Sequence, residues 1–163
     1  MQAIVAVDQN WGIGCEGSLL FHIKADMQRF RHMTIGHSVV MGRKTLLSFP
    51  GGRPLPNRRN IVLSRNMDFA PDGVEMARTV KDAVLLADPD AFCIGGGAVY
   101  AQLLPYCERV YVTRVFSSLP ADTYFPNLDL DPSWQRSEES EIYEENGIRF
   151  QYVDYIRTSP VGV

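Results

Sequence analysis

The sequence predicts an α/β fold: a three-layer single domain with a mostly parallel central sheet, flanking helices and a C-terminal antiparallel hairpin. Three observations lead there. Short β-branched apolar runs alternate with helical stretches through most of the chain, the order that builds a parallel sheet with crossover helices. The last third turns to strand-type sequence, with Glu145-Asn146-Gly147 between two runs that read as a hairpin. A chain of 163 residues, 45% hydrophobic and 21% charged, can also bury a core without metal or disulfide.

Each element has its own reason. Ile4-Val5-Ala6-Val7 reads as a short buried strand. The stretch 23–34 reads as a helix, because Ile23, Met27 and Phe30 recur at helical spacing. Ser38-Val39-Val40-Met41-Gly42 is a second buried strand, and a turn of helix follows over 43–48. Proline and glycine break both periodicities over 50–57, which must be a loop. The stretch 60–64 is a third strand, and Thr79 is a candidate N-cap for a helix reaching residue 87. A fourth strand over 91–94 ends in Gly95-Gly96-Gly97, and the helix over 98–104 is stopped by Pro105. A long strand covers 108–116, and strands over 135–141 and 148–157 form the hairpin. Ligands of open α/β sheets bind beyond the carboxyl ends of the strands, so residues just after each strand matter most.

Composition narrows the partners. Lys and Arg total 16 against 19 Asp and Glu, a net charge of −3, which argues against a nucleic-acid coat. No apolar run approaches the roughly 20 residues of a membrane span. The start Met1-Gln2-Ala3-Ile4-Val5 has no signal-peptide pattern, and Cys15, Cys93 and Cys107 form no CxxC pair. His22, His32 and His37 lack metal-ligand spacing. The expectation is a cytoplasmic monomer without a metal.

Four places can hold chemistry. Gly12-Ile13-Gly14-Cys15-Glu16-Gly17 matches G-x-G-x-x-G, but the next helix begins near Ile23, too late for a dinucleotide fingerprint. The segment is a surface loop or a lid over a site. Asp26 is either a first-turn helix residue at the surface or a buried acid with a raised pKa, suited to a planar donor pair. Gly42-Arg43-Lys44-Thr45 and Ser64-Arg65 each follow a strand with cation and hydroxyl, as solvated turns or as phosphate ligands. Gly95-Gly96-Gly97 is a tight turn or a close approach to a pyrophosphate. Phe21, Phe30, Phe49 and Leu55 fit a core or an apolar cleft equally, and Arg53 and Arg58 fit solvent or a carboxylate clamp.

Taken together, Ala25-Asp26-Met27-Gln28-Arg29-Phe30, Val40-Met41-Gly42-Arg43-Lys44-Thr45, Arg53-Pro54-Leu55-Pro56-Asn57-Arg58, Ile94-Gly95-Gly96-Gly97-Ala98-Val99-Tyr100, Tyr111-Val112-Thr113 and Asp122-Thr123-Tyr124-Phe125-Pro126 resemble the dihydrofolate reductase family in order and over most of the chain. The resemblance implies NADPH-dependent reduction of 7,8-dihydrofolate, with hydride passing to pterin C6 and a proton to N5. It implies that Asp26 grips the pterin, that Thr113 supports Asp26, and that residues 9–23 form a lid with Leu19 over the site. It also places Phe21 and Tyr100 among the catalytic residues. Val5, Ala6, Met27, Phe30, Ser48, Phe49, Leu55, Arg58 and Ile94 would meet the substrate. Ala6, Ile13, Gly14, Ser18, Gly42, Arg43, Lys44, Thr45, Leu63, Ser64, Arg65, Gly95, Gly96, Gly97, Ala98, Val99, Tyr100 and Thr123 would meet NADPH. Gly95-Gly96 matches a pair that the family keeps as a cis peptide. Antifolates are implied as further ligands.

Three positions depart from the family. Leu20-Phe21 stands where Pro-Trp is usual, and Phe offers no indole N–H for a water near the pterin. Ala98 replaces an Arg that several bacterial members carry near the 2′-phosphate, a loss that Arg65 could offset. Leu46 replaces a helical Trp, where repacking is expected. Two other readings remain at this point: the related-fold NADPH reductase of riboflavin synthesis, and a non-catalytic pterin- or nucleotide-binding module.

Overall fold

The computed structural model describes residues 1–160. The first half runs β1 (Gln2–Val7), β2 (Gly12–Cys15), β3 (Ser18–Leu19), α1 (Lys24–Thr34), β4 (Ser38–Gly42), α2 (Arg43–Ser48) and β5 (Arg59–Leu63). The second runs β6 (Glu75–Ala77), α3 (Val80–Leu86), β7 (Phe92–Gly95), α4 (Gly97–Leu103), β8 (Arg109–Val115), β9 (Thr123–Tyr124), β10 (Trp134–Glu145) and β11 (Ile148–Arg157). One sheet has the strand order β10-β11-β8-β1-β7-β4-β5-β6. Five of its pairings are parallel; β8 with β11 and β10 with β11 are antiparallel. The mostly parallel sheet with a terminal hairpin is therefore present.

Strand alternation divides the core in two. Ala3, Val5 and Val7 of β1 point to one face, where they pack with Ala83 of α3 and Val99, Tyr100 and Leu103 of α4. Ile4 points to the other, with Val39, Met41 and Val62 under Leu46 of α2 and Phe30 and Met33 of α1. Helices on both faces make the three layers. Leu46, where a Trp was usual, is fully buried and packs directly against this second face.

Several boundaries move for local reasons. β6 is only three residues long, too short for an alternation to register in sequence. α4 starts at Gly97 rather than at residue 98, and α1 at Lys24 with Ile23 as its N-cap residue. β10 runs to Glu145, beyond the expected end at 141; its polar, exposed surface and two register shifts hide its length in the sequence.

The segment after β1 is more ordered than a surface loop. β2 and β3 form a hairpin whose turn residues Glu16 (φ 51°) and Gly17 (φ 79°) are both left-handed, the geometry of a two-residue primed turn. β2 also pairs with β9, giving a three-stranded sheet. The glycines of the G-x-G-x-x-G match thus serve the hairpin: Gly17 makes the turn, and a Cβ at Gly12 would lie 2.8 Å from Ala121 Cβ.

Asp8 anchors the start of this segment and escaped the sequence reading. It is 1% exposed. Its Oδ1 accepts from the amides of Asn10 (2.9 Å) and Gly12 (2.8 Å), and its Oδ2 from Leu119 N (3.2 Å). Between them Trp11 takes φ 63° and buries its ring against Phe125 and Tyr155. Asp8→Ala strands these amides; urea unfolding should show a loss of about 2–4 kcal/mol. A loss below about 0.5 kcal/mol, the ordinary scale of an inconsequential surface change, would contradict this anchoring role.

Candidate active site

Asp26 lies in the first turn of α1, on the sheet face covered by α1 and α2. Across from it stands Thr113 of β8, which is 2% exposed and sits in register between Ala6 of β1 and Tyr152 of β11. The Thr113 hydroxyl donates to Asp26 Oδ1 at 2.5 Å. The two readings of Asp26 therefore merge: it is a first-turn residue and also a largely buried acid. Burial pushes its carboxyl above the usual range, while the Thr113 hydrogen bond and Arg29 pull it down and Glu145 pushes it up. Arg29, one turn along, lies over the Tyr152 ring at 4.0 Å and pairs with Asp154 at 3.9 Å.

Apolar side chains gather beside the carboxylate. Phe30, Phe49, Leu55 and Ile94 are half-buried against Ile4, Met41 and Leu46. Met27 and Leu19 are 61% and 68% exposed, large apolar groups that the core does not use. Alternation along β1 turns the Val5 side chain to the opposite face, leaving its backbone on this side. Phe21 packs with Ile23, Val115, Phe150 and Tyr152 at the start of α1. Ser48 donates its hydroxyl to Thr45 O at 2.6 Å and is exposed.

Arg58 is fixed at the far end of α1. Its Nη1 donates to Thr34 Oγ1 (3.1 Å) and its Nε to Pro56 O (3.0 Å). Burial, with a contribution from Arg31, lowers its pKa, though an arginine stays charged. The loop that carries it is braced by Asn60, a residue the sequence reading passed over. Asn60 accepts from Leu55 N (3.0 Å) and donates to the carbonyls of Leu55 and Arg58 (both 2.9 Å). Arg53, by contrast, is exposed.

A second region forms where β4, β5 and β7 end. Gly42 pairs with Leu63 across β4 and β5, and α2 begins at Arg43. The Gly95-Gly96 peptide is cis, as the resemblance implied. A Cβ added to Gly96 would lie 3.6 Å from Thr45 Oγ1, and one on Gly42 2.9 Å from Val99 Cγ2. The two glycine turns therefore face each other closely. A Cβ on Gly97 would lie 2.5 Å from Thr123 Cγ2 and 4.0 Å from Ile13 Cδ1, so the β2 segment and β9 converge here too. Gly14 pairs with Leu19 and Thr123, Ser18 with Cys15, and Ser18 and Ala98 are exposed. Val99 turns its side chain into the core face. Lys44 and Arg65 are exposed at this end, Arg43 lies 5.8 Å from the Phe69 ring, and Ser64 Oγ accepts from Asn66 N.

Tyr100 is tied to the β1 backbone. Its hydroxyl donates to Ile4 O at 2.6 Å, and burial holds its pKa well above the ordinary tyrosine value. The proton is committed to the β1 backbone, so Tyr100 fixes the floor between the two regions. Asp122 ties the β2 segment to β9: its Oδ2 accepts from Glu16 N at 2.8 Å and its Oδ1 from the Thr123 hydroxyl at 2.9 Å.

Comparison with known proteins gives one answer at each level. The family model of dihydrofolate reductase matches residues 1–157. The chain is 43% identical over 139 residues to dihydrofolate reductase type 3 of Salmonella typhimurium, covering 84% of each. It is 36% identical over 156 residues to dihydrofolate reductase of Bacillus subtilis, covering 93% of this chain and 91% of that one. The structure of dihydrofolate reductase from Enterococcus faecalis complexed with NADP(H) and RAB-propyl aligns with a TM-score of 0.86 at 32% identity, over 97% of this chain and 96% of that one. With a carboxylate held by Thr113 near an apolar cluster and glycine turns at the adjoining strand ends, the chain belongs to the dihydrofolate reductase family.

Proposed function

We propose that this protein reduces 7,8-dihydrofolate to 5,6,7,8-tetrahydrofolate with NADPH, the described residues 1–160 acting as one domain and the last three of the expected span 1–163 lying outside them. The observation that carries the reading is the Asp26–Thr113 pair beside the Phe30, Phe49 and Leu55 cluster. Asp26 Oδ1 is taken by Thr113, and Oδ2 has no hydrogen-bond partner among the described residues. A pterin offers two donors side by side, a ring N–H and the 2-amino group, and a carboxylate accepts both at once. Met27, Phe30, Phe49 and Leu55 line the slot for the p-aminobenzoyl ring, and Arg58 takes the glutamate α-carboxylate.

The cofactor cradle fits a dinucleotide. Gly42, Gly96 and Gly97 sit where side chains would fill the space between the two turns, and Thr45 adds a hydroxyl. Thr45 and the backbone of Gly96, Gly97, Ala98 and Val99 hold the pyrophosphate, while Arg43, Ser64 and Arg65 hold the 2′-phosphate. Bound there, NADPH supplies the hydride for C6. The segment 9–23 covers the cleft and excludes water from the reacting faces. Phe21 brings no N–H, so the proton for N5 arrives through water admitted past this segment. The riboflavin-pathway reductase and the non-catalytic module are not favoured, since the family match and the Asp26–Thr113 pair are both accounted for by dihydrofolate reduction. Diaminopyrimidine and pteridine antifolates bind by sharing a proton with Asp26. The free thiols of Cys15, Cys93 and Cys107 fit a protein working in a reducing cytoplasm.

Three outcomes are expected. Loss of NADPH absorbance requires dihydrofolate, and Asp26→Asn lowers kcat/KM about 10²-fold or more while leaving NADPH affinity unchanged. Equal losses of both would contradict the assignment. Second, burial raises the folded-state pKa of Asp26, so the folded chain holds this proton longer than the unfolded chain and stability declines as pH rises through that window. Asp26→Asn should therefore melt higher than the parent at neutral pH. The gain should vanish below about pH 4, where Asp26 is protonated in both states. Third, Arg65→Ala should weaken NADPH about tenfold, the worth of one charge-assisted hydrogen bond, and leave NADH unaffected.

A further inference from the structure

The first turn of α1 lacks a cap of its own. Its N-cap residue is Ile23, whose side chain is apolar and 2% exposed. Two of the unpaired amides of that first turn are met from elsewhere. Glu145 Oε2 accepts from Lys24 N at 2.6 Å, and Glu145 Oε1 accepts from Ala25 N at 3.0 Å. Both oxygens of one carboxylate are therefore spent on consecutive amides just ahead of Asp26.

Glu145 is held firmly for this task. It is the last residue of β10 and pairs with Ile148 across Asn146 (φ 51°) and Gly147 (φ 80°), a primed two-residue turn. Ile148 packs with Phe21, Ile23 and Phe150, so the hairpin end, the end of the 9–23 segment and the start of α1 share one apolar cluster. A local cap at residue 23 would satisfy the amide of residue 25 or 26 without linking these three pieces.

We propose that Glu145 is a positioning residue of the reduction: it locks the first turn of α1, and with it Asp26, to the β10–β11 hairpin, and its charge opposes that of Arg29 at the Asp26 carboxylate. This rests on the reading that Asp26 binds the substrate. Asp26 faces Arg29 on its own helix, the Thr113 hydroxyl from β8, Tyr152 from β11, Tyr100 from α4 and Glu145 from β10. Among the charged neighbours, Arg29 favours the carboxylate and Glu145 disfavours it. Removing Glu145 also bares the positive end of α1, which acts in the same direction as the lost charge. Both changes lower the pH at which Asp26 ionises.

The test uses Glu145→Gln, Glu145→Ala and, as a control on the same hairpin, Glu144→Gln, all in the full chain. Glu145→Gln is nearly isosteric and keeps one acceptor, so it preserves the comparison if the alanine variant folds poorly. The Asp26 carboxyl is titrated by carbon-13 NMR in the protein without substrate. Its midpoint should fall in both Glu145 variants and stay in place in Glu144→Gln. In steady-state kinetics KM for dihydrofolate should rise about three- to tenfold in Glu145→Ala, the scale of a lost helix cap, with NADPH affinity unchanged. An unmoved midpoint, or KM values equal to those of the parent, would overturn the role of Glu145. A parent protein that fails to reduce dihydrofolate would instead overturn the functional reading, and the titration separates the two.

Discussion

A carboxylate placed where burial opposes its charge is the constraint on which the site depends. Asp26 stands against β8 with its pKa pushed up, and the Thr113 hydroxyl gives back part of the lost solvation. Thr113 can do this because β8 lies between β1 and β11, with Ala6 and Tyr152 in register on either side. The parallel core thus positions the donor, and α1 the acceptor. Phe30, one turn along α1 from Asp26, belongs to the apolar cluster with Phe49, Leu55 and Ile94, so the helix that carries the acid also packs that cluster.

Three carboxylates tie the segment between β1 and α1 to the rest of the molecule. Asp8 accepts at its start, Asp122 at the β2–β3 turn and Glu145 at its exit. All three take backbone amides, so each contact constrains the chain path whatever side chains the segment carries. Burying one of these acids requires full satisfaction of its oxygens, and Asp8 meets that with three amides.

Much of this was legible in the sequence. The alternation of apolar runs and helices marked the strands around Val40, Ile61 and Val112, and Gly95-Gly96-Gly97 marked the cradle, because both signals are local. Asp26 was visible as a carboxylate among apolar neighbours, although its burial and its bond to Thr113 depend on strand register. Asn60, Asp8 and Glu145 were not singled out. Asp8 left a faint signal, an Asp two residues before Asn10 at a strand end, the pattern of a side chain that turns its own backbone. Glu145 left none: its partners at Lys24 and Ala25 are 121 and 120 residues away, and the hairpin turn gives no hint of what the side chain reaches.

The most direct test of the account is a double-mutant cycle on Asp26→Asn and Thr113→Val, read in kcat/KM for dihydrofolate. If Thr113 acts through the carboxylate, the two losses are coupled by about 1–2 kcal/mol, and Thr113→Val costs little once Asp26 is gone. Strictly additive losses would mean that Thr113 serves the fold or the substrate separately, and the arrangement described around Asp26 would not stand.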